Sequence, residues 1–266
     1  MREPSSLAAD LQSTLSAPLA IGFDFDHTLG IDNKLERTVG VELLERLAQE
    51  GGCGFDRDEA ARAMDAALAA FRGGPLSLED ALRAEFETVA CRGADYLAAI
   101  EQFRETVVAR APAFIEALPG ARELLAALAQ AGIPHVILTN GWSPLQEEKA
   151  RLVGFDGDVL VSDELGAWKP SASAFDALVA KFSCGRERIW YVGDDPVADV
   201  GGAHAAGLTS VWFDWEQRPF DAHLPAPHVV VHELGELARV IEGLCFDQRA
   251  ARNPQGGGAL VPKADV

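Results

Sequence analysis

Five short apolar runs, each followed within a residue or two by a hydroxyl or carboxylate side chain, constrain this chain more than any other feature. They are Leu19–Phe25 (LAIGFDF), His135–Leu138 (HVIL), Asp158–Val161 (DVLV), Arg188–Val192 (RIWYV) and Thr209–Phe213 (TSVWF). His228–Val231 (HVVV) is a candidate sixth. Runs this short and this continuously apolar leave no face for water, the pattern of strands buried on both sides of a parallel sheet. Parallel neighbours need crossover connections, and helical stretches stand between the runs. Ala121–Ala131 precedes HVIL, with Gly132 placed to stop the helix, and Pro144–Val153, Ser171–Phe182 and Ala198–Ala206 follow later runs. This order predicts a doubly wound, mostly parallel α/β sheet with helices on both faces.

The alternation breaks once. Residues 33–114 contain no convincing strand, only amphipathic segments at Leu35–Glu50, Arg57–Phe71, Leu78–Ala90 and Tyr96–Arg110, with Asp56 and Ser77 as expected N-caps. The expected organisation is a discontinuous α/β core (1–32 and 115–247) interrupted by a small all-helical cap (33–114). The Gly-, Gln- and Asn-rich stretch 248–266 reads as a disordered tail.

In an open α/β sheet, ligands bind beyond the carboxyl ends of the strands. Those ends carry Asp24 and Asp26, then Thr139 and Asn140, then Asp163, then Asp194, Asp195 and Asp199, with Lys169 in the loop after the third run. Asp24 and Asp26 are two apart in an extended segment, so both carboxylates can address one ligand. Such a pair needs a cation between its members or a proton on one of them. With Asp194 from another strand, the oxygens suit a hard divalent ion, and magnesium keeps room for a substrate oxygen.

The formal net charge of -18 bears on what that ligand is. It disfavours nucleic acid and anionic membranes as partners. It also repels a phosphate, so an anion site must be built locally from a metal ion, backbone N–H groups or a placed lysine. No apolar run reaches the roughly 20 residues that span a bilayer, and the first residues do not read as a signal peptide. Cys53, Cys91, Cys184 and Cys245 are far apart with no C-x-x-C pair, which reads as reduced, mostly buried thiols in a cytoplasmic protein.

Four segments together, Asp24-Phe25-Asp26-His27-Thr28-Leu29, Leu138-Thr139-Asn140-Gly141, Lys169-Pro170 and Gly193-Asp194-Asp195 through Asp199, resemble the four motifs of the haloacid dehalogenase superfamily, in that family's order. The resemblance spans roughly residues 19 to 215 and is closest to members with a helical cap after the first motif. It implies a magnesium-dependent phosphatase acting on a small phosphorylated metabolite. Asp24 would be the nucleophile that forms an aspartyl-phosphate, and Asp26 the general acid and base. Thr139, Asn140, Gly141 and Lys169 would hold the phosphoryl group. Asp24, the backbone carbonyl of Asp26 and Asp194 would ligate Mg2+, with Asp195 or Asp199 in support. Dehalogenases of the family lack the second aspartate, so Asp26 favours phosphate chemistry. A phosphomutase retains it and is the alternative within the family; a phospho-accepting receiver module is the alternative from another class.

Some residues fit this reading less directly. His27 stands where many members of the family have glycine, and its backbone N–H is expected to remain available to the phosphate. His228, His232 and Glu233 resemble a metal pair only faintly. Trp142 is expected to pack in the core or rim, and Arg37, Arg72 and Arg104 to lie on solvated helix faces. The sequence leaves monomer against homodimer open.

Overall fold

The computed structural model describes residues 17–74, 76–89 and 95–252. Strand β1 (Ala20–Phe23) is wholly buried, and the chain then turns tightly, the Phe25 carbonyl accepting from the N–H groups of Thr28, Leu29 and Gly30. Strand β2 (Gly30–Ile31) leads into four helices, α1 (Leu35–Glu50), α2 (Arg57–Arg72), α3 (Leu78–Val89) and α4 (Tyr96–Arg110). Strand β3 (Glu116–Ala117) returns antiparallel to β2. There follow α5 (Ala121–Ala131), β4 (His135–Thr139), α6 (Leu145–Val153), β5 (Val159–Val161), α7 (Ser162–Leu165), α8 (Ala172–Val179) and β6 (Ile189–Gly193). A π-helical turn (Pro196–Gly201) runs into α9 (Gly202–Ala205), before β7 (Thr209–Phe213), β8 (Val229–Val231) and α10 (Leu234–Arg252).

Six strands form one parallel sheet in the order β5-β4-β1-β6-β7-β8. The chain leaves β1 toward β4 and β5, then crosses back to β6 on the other side. The carboxyl end of β1 is therefore the switch point at which a crevice opens. Strand β6 illustrates why the apolar runs are continuous: Trp190 and Val192 pack into the layer with α5 and α10, while Ile189 and Tyr191 pack into the layer with α8. Gly22 in β1 is glycine for space, since a Cβ there would lie 2.7 Å from both Leu178 and Tyr191. Gly132 ends α5 at φ 68, its N–H bonding to the carbonyls of Leu128 and Ala129.

Helices α1 to α4 share a core of their own, built on Leu35, Leu44, Met64, Phe71, Phe86 and Phe103. Trp142 and Leu145, which follow β4, join that core and tie it to the sheet's carboxyl edge. Asp56 caps α2 by accepting from the N–H groups of Asp58 and Glu59, and Ser77 accepts from that of Asp80.

The structure departs from the sequence expectations in four places. The β2–β3 ribbon joining the two parts is too short to leave a periodic signal. The helix expected over Ala198–Ala206 begins earlier as the π-helical turn, because the Asp195 side chain accepts from the N–H groups of Val197 and Ala198. Helix α10 runs to Arg252, past the expected start of the tail at residue 248; residues 253–266 lie outside those described. Cys53 is disulfide-bonded and Cys184 is free, which corrects the expectation of reduced thiols throughout. Among the described residues, no helix is long and apolar enough to cross a membrane.

Candidate active site

Asp24 leaves β1 with its N–H bonded to the carbonyl of Val192 in β6, which aims the next side chains into the crevice. Lys169, buried in the loop after α7, reaches Asp24 Oδ1 at 2.6 Å and Asp199 Oδ1 at 2.8 Å. Asp199 projects from the π-helical turn beneath β6, and a Cβ on Gly193 would collide with its carboxyl group. Glycine at 193 is therefore what lets that carboxylate approach. Asn140, after β4, fixes the lysine loop: its Oδ1 accepts from the Lys169 N–H at 2.9 Å, and its Nδ2 donates to the Lys169 carbonyl at 3.1 Å.

Ligand atoms of Asp24, Asp194 and Asp199 lie within 4.8 Å of one another. Burial, then the charges of Asp199 and Asp26, push the Asp24 carboxyl up to about 7 despite Lys169. Burial and the Asp24 charge raise Asp194 to about 6, and burial raises Asp199. Three carboxylates that resist ionising together are a donor set that a hard divalent cation fits. Asp194 is held from outside: Arg218 Nη2 donates to its carbonyl at 2.9 Å and to Oδ2 at 3.1 Å, and Trp212 Nε1 donates to the same carbonyl at 3.0 Å.

Asp26 lies in the opposite electrostatic setting. Lys149 Nζ donates to its Oδ1 at 2.9 Å and Gln146 Nε2 to its Oδ2 at 3.1 Å. Burial opposes ionisation, but the charges of Lys149 and Arg72 outweigh it and hold the carboxyl down at about 2. Lys149 also reaches Asp32 Oδ2 at 3.3 Å. Arg72 pairs closely with Glu36, whose other oxygen accepts from Trp142 Nε1 at 2.8 Å. Two neighbouring aspartates thus sit with proton affinities pushed in opposite directions, and without a cation the order is the reverse of the one an ionised nucleophile at Asp24 and a proton donor at Asp26 need.

These groups line a cavity of about 450 Å3, together with Thr139, Arg72 and His27. The Thr139 hydroxyl is buried and has no hydrogen-bond partner among the described residues, so it is an orphan that a phosphoryl oxygen would satisfy. The structure brings Asp24, Asp26, Thr139, Asn140, Lys169, Asp194, Asp195 and Asp199 to this cavity. It does not bring Gly141, whose N–H donates to Ser162 Oγ at 3.0 Å. The His27 N–H is also taken, by the Gly30 carbonyl at 2.8 Å, because the residue adopts φ 60 in the turn, a conformation that favours glycine. Its ring stacks on Trp215. His228 bonds to Ser210, and His232 to Asp214. Trp142 is core, as expected, and Arg104 lies over its ring at 5.1 Å. Arg37 bonds to Asp65, while Arg72, equally half-exposed, lines the cavity and pairs with Glu36.

Sequence reasoning missed Lys149, Gln146 and Arg218. Two of the three left a signal: Gln146 and Lys149 fall on the same stripe of α6 as Leu145, Ala150 and Val153, so polar side chains sit on a face otherwise apolar.

A parallel sheet with this order, and a cluster of carboxylates around one lysine at its switch point, define a class. The chain belongs to the haloacid dehalogenase-like hydrolase family, whose sequence profile matches residues 19–207. It is similar to the ribulose-1,5-bisphosphate 5-phosphatase of Halopiger xanaduensis, 30% identical over 73% of this chain and 84% of that protein. It is also similar to the phosphoserine phosphatase of Thermus thermophilus, 37% identical over 42% of this chain. That match spans 46% of the relative's length, and the one to the pyrimidine 5'-nucleotidase YjjG of Escherichia coli spans 48%. Among solved structures, the hydrolase YfnB of Bacillus subtilis, bound to magnesium, superposes with a TM-score of 0.62 and 21% identity over 86% of this chain and 99% of that one. The 2-haloacid dehalogenase of Pseudomonas syringae gives 0.62 and 19% over 86% and 99%. At these identities the structural likeness speaks for the fold.

Proposed function

We propose that this protein is a phosphatase that hydrolyses a small phosphomonoester through an aspartyl-phosphate on Asp24. The observation that carries the reading is the Lys169 bridge between Asp24 and Asp199, set beside the orphan hydroxyl of Thr139 and a second carboxylate on Asp26. Two of the similar proteins are phosphatases by name, each named for a small phosphorylated metabolite.

Lys169 fixes Asp24 Oδ1, leaving Oδ2 to attack phosphorus. The Thr139 hydroxyl and the Lys169 ammonium bind the phosphoryl oxygens and offset their repulsion from Asp24. Asp24, Asp194 and Asp199 would hold Mg2+ together with the Asp26 carbonyl, and the ion would supply charge neutralisation at the phosphoryl group. Asp26 gives its proton to the departing alcohol oxygen as the P–O bond breaks. It then takes a proton from the water that attacks the aspartyl-phosphate, releasing phosphate and restoring the Asp24 carboxylate. Asp26 is ionised in the resting protein; the negative charge of an arriving phosphate raises its proton affinity, so that it takes its first proton from solvent and each later one from the water that attacks the aspartyl-phosphate. Helices α1 to α4 act as the cap, closing over the crevice to exclude water.

The test is phosphate release from an aryl phosphate with Mg2+, with and without chelator, in the parent chain and in Asp24→Asn. Turnover that requires the ion and is abolished in the variant supports the reading, with acid-quenched parent protein carrying one phosphoryl group by intact mass. Unchanged turnover in Asp24→Asn removes the nucleophile from the mechanism.

A further inference from the structure

Tyr191 in β6 is buried beneath the crevice, does not line the cavity and has no part in the chemistry described above. Its ring does not stay within its own strand. Gly22 presents no side chain on β1, where a Cβ would lie 2.7 Å from the Tyr191 ring, so the ring lies across that strand toward β4. There its hydroxyl donates to the Leu138 carbonyl at 2.8 Å. The phenol oxygen is 3.5 Å from Asp199 Oδ1, beyond a good hydrogen bond, so the single hydroxyl proton serves the carbonyl. Phe175 meets the Tyr191 ring edge-on, with 5.0 Å between centroids, and holds it in place.

The place of that hydrogen bond matters. The β1–β4 ladder ends at the pair Phe23 and Ile137, so Leu138 and Thr139 lie beyond its last rung on that side, as Asp24 does. Leu138 directly precedes Thr139, whose hydroxyl is the orphan facing the phosphoryl site. The Lys169 ammonium lies 5.7 Å from the centroid of the Tyr191 ring, within reach of a cation–π contact. One side chain therefore meets the carbonyl beside Thr139, the ammonium of Lys169 and the carboxylate of Asp199, which arrive from three separate segments of the chain.

We propose that Tyr191 is a positioning residue: its hydroxyl, bonded to the Leu138 carbonyl, sets the distance between Thr139 and the Asp24–Lys169 pair, so that all three address one phosphoryl group. The inference rests on the phosphatase reading above and adds to it a residue that never touches the substrate. Tyr191→Phe removes the tether and keeps the ring face for Lys169. The Leu138 carbonyl then loses this donor, and Thr139 is free to drift from the phosphoryl oxygen. Contacts that tighten in the transition state are the ones such drift weakens, so the loss falls on kcat rather than on KM.

The experiment measures aryl phosphate turnover with Mg2+ in the parent chain, in Tyr191→Phe and in Ile189→Val. Ile189 packs in the same layer two residues earlier, so trimming it by one methylene group reports a loss of core packing alone. A displacement near 1 Å costs about a hundredfold in rate, and losing one tether with the ring still seated should cost about tenfold in kcat at constant KM. Ile189→Val should leave both constants as they are. In calorimetric titrations with Mg2+ present, orthovanadate, which takes the five-coordinate shape of a phosphoryl group in transfer, should bind Tyr191→Phe about tenfold more weakly, and inorganic phosphate equally well. An unchanged kcat in Tyr191→Phe, a loss that falls on KM instead, or the same kcat loss in Ile189→Val overturns the inference, while turnover by the parent chain leaves the phosphatase reading standing. An inactive parent chain overturns both.

Discussion

Lys149 Nζ lies 2.9 Å from Asp26 Oδ1, although the lysine side chain is wholly buried and belongs to a helix otherwise packed against the core. The ammonium also serves Asp32, so one buried cation joins Asp26 to the linker that leads into α1. Lys149→Met keeps the bulk and removes the charge, leaving both carboxylates without it. We expect a loss of about 3 kcal/mol in urea denaturation, the low end for breaking a buried pair from one side. Lys149→Arg should recover part of it.

Gly193→Ala tests how closely Asp199 must approach. The added Cβ would collide with the Asp199 carboxyl group, so the carboxylate must shift and loosen its 2.8 Å contact with Lys169. A displacement near 1 Å costs about a hundredfold in rate. Steady-state kinetics should show that loss in kcat, and circular dichroism should show an unchanged fold.

Arg218 should govern metal affinity through Asp194. It holds that carboxylate by one oxygen and by the backbone, leaving the other oxygen directed at the cluster. Removing such an outer partner typically weakens metal binding about 10- to 100-fold. Calorimetric titration of Arg218→Met with Mg2+ should show this weakening. Equal or tighter binding would mean that the repulsion between the guanidinium and the ion dominates.

Stability should depend on pH in opposite ways at two aspartate sites. The folded values of Asp24 (about 7) and Asp194 (about 6) lie above the ordinary 3.8, so the metal-free fold keeps protons that the unfolded chain has lost. Their contribution is complete below pH 3.8 and is lost as pH rises through 6 and 7. Asp26, depressed to about 2, acts in the reverse sense: its contribution is present above pH 3.8 and is lost as pH falls through 2. With a chelator present, Tm should therefore be higher at about pH 5 than at about pH 8. Mg2+ should raise Tm more at about pH 8, where it binds carboxylates without displacing protons.

The sheet and the cluster around Lys169 could be read from the chain because their signals are local. A strand buried on both faces must be apolar along its length, and the polar residue after it must lie at the sheet's edge, so Asp24, Thr139, Asp194 and Asp199 identify themselves. The helices over residues 35–110 were legible from the 3.6-residue period, and Leu35–Glu50 and Tyr96–Arg110 match to the residue. What only the tertiary structure decided concerns partners distant in sequence. Lys149 looks like one more charge beside Glu147 and Glu148 until the fold sets α6 against the turn after β1 and leaves its ammonium no water. Arg72 looks like one more surface charge until the end of α2 is brought to the crevice, where it pairs with Glu36. A side chain's chemistry follows from the charges and the solvent around it, and the chain assembles those from remote segments only on folding.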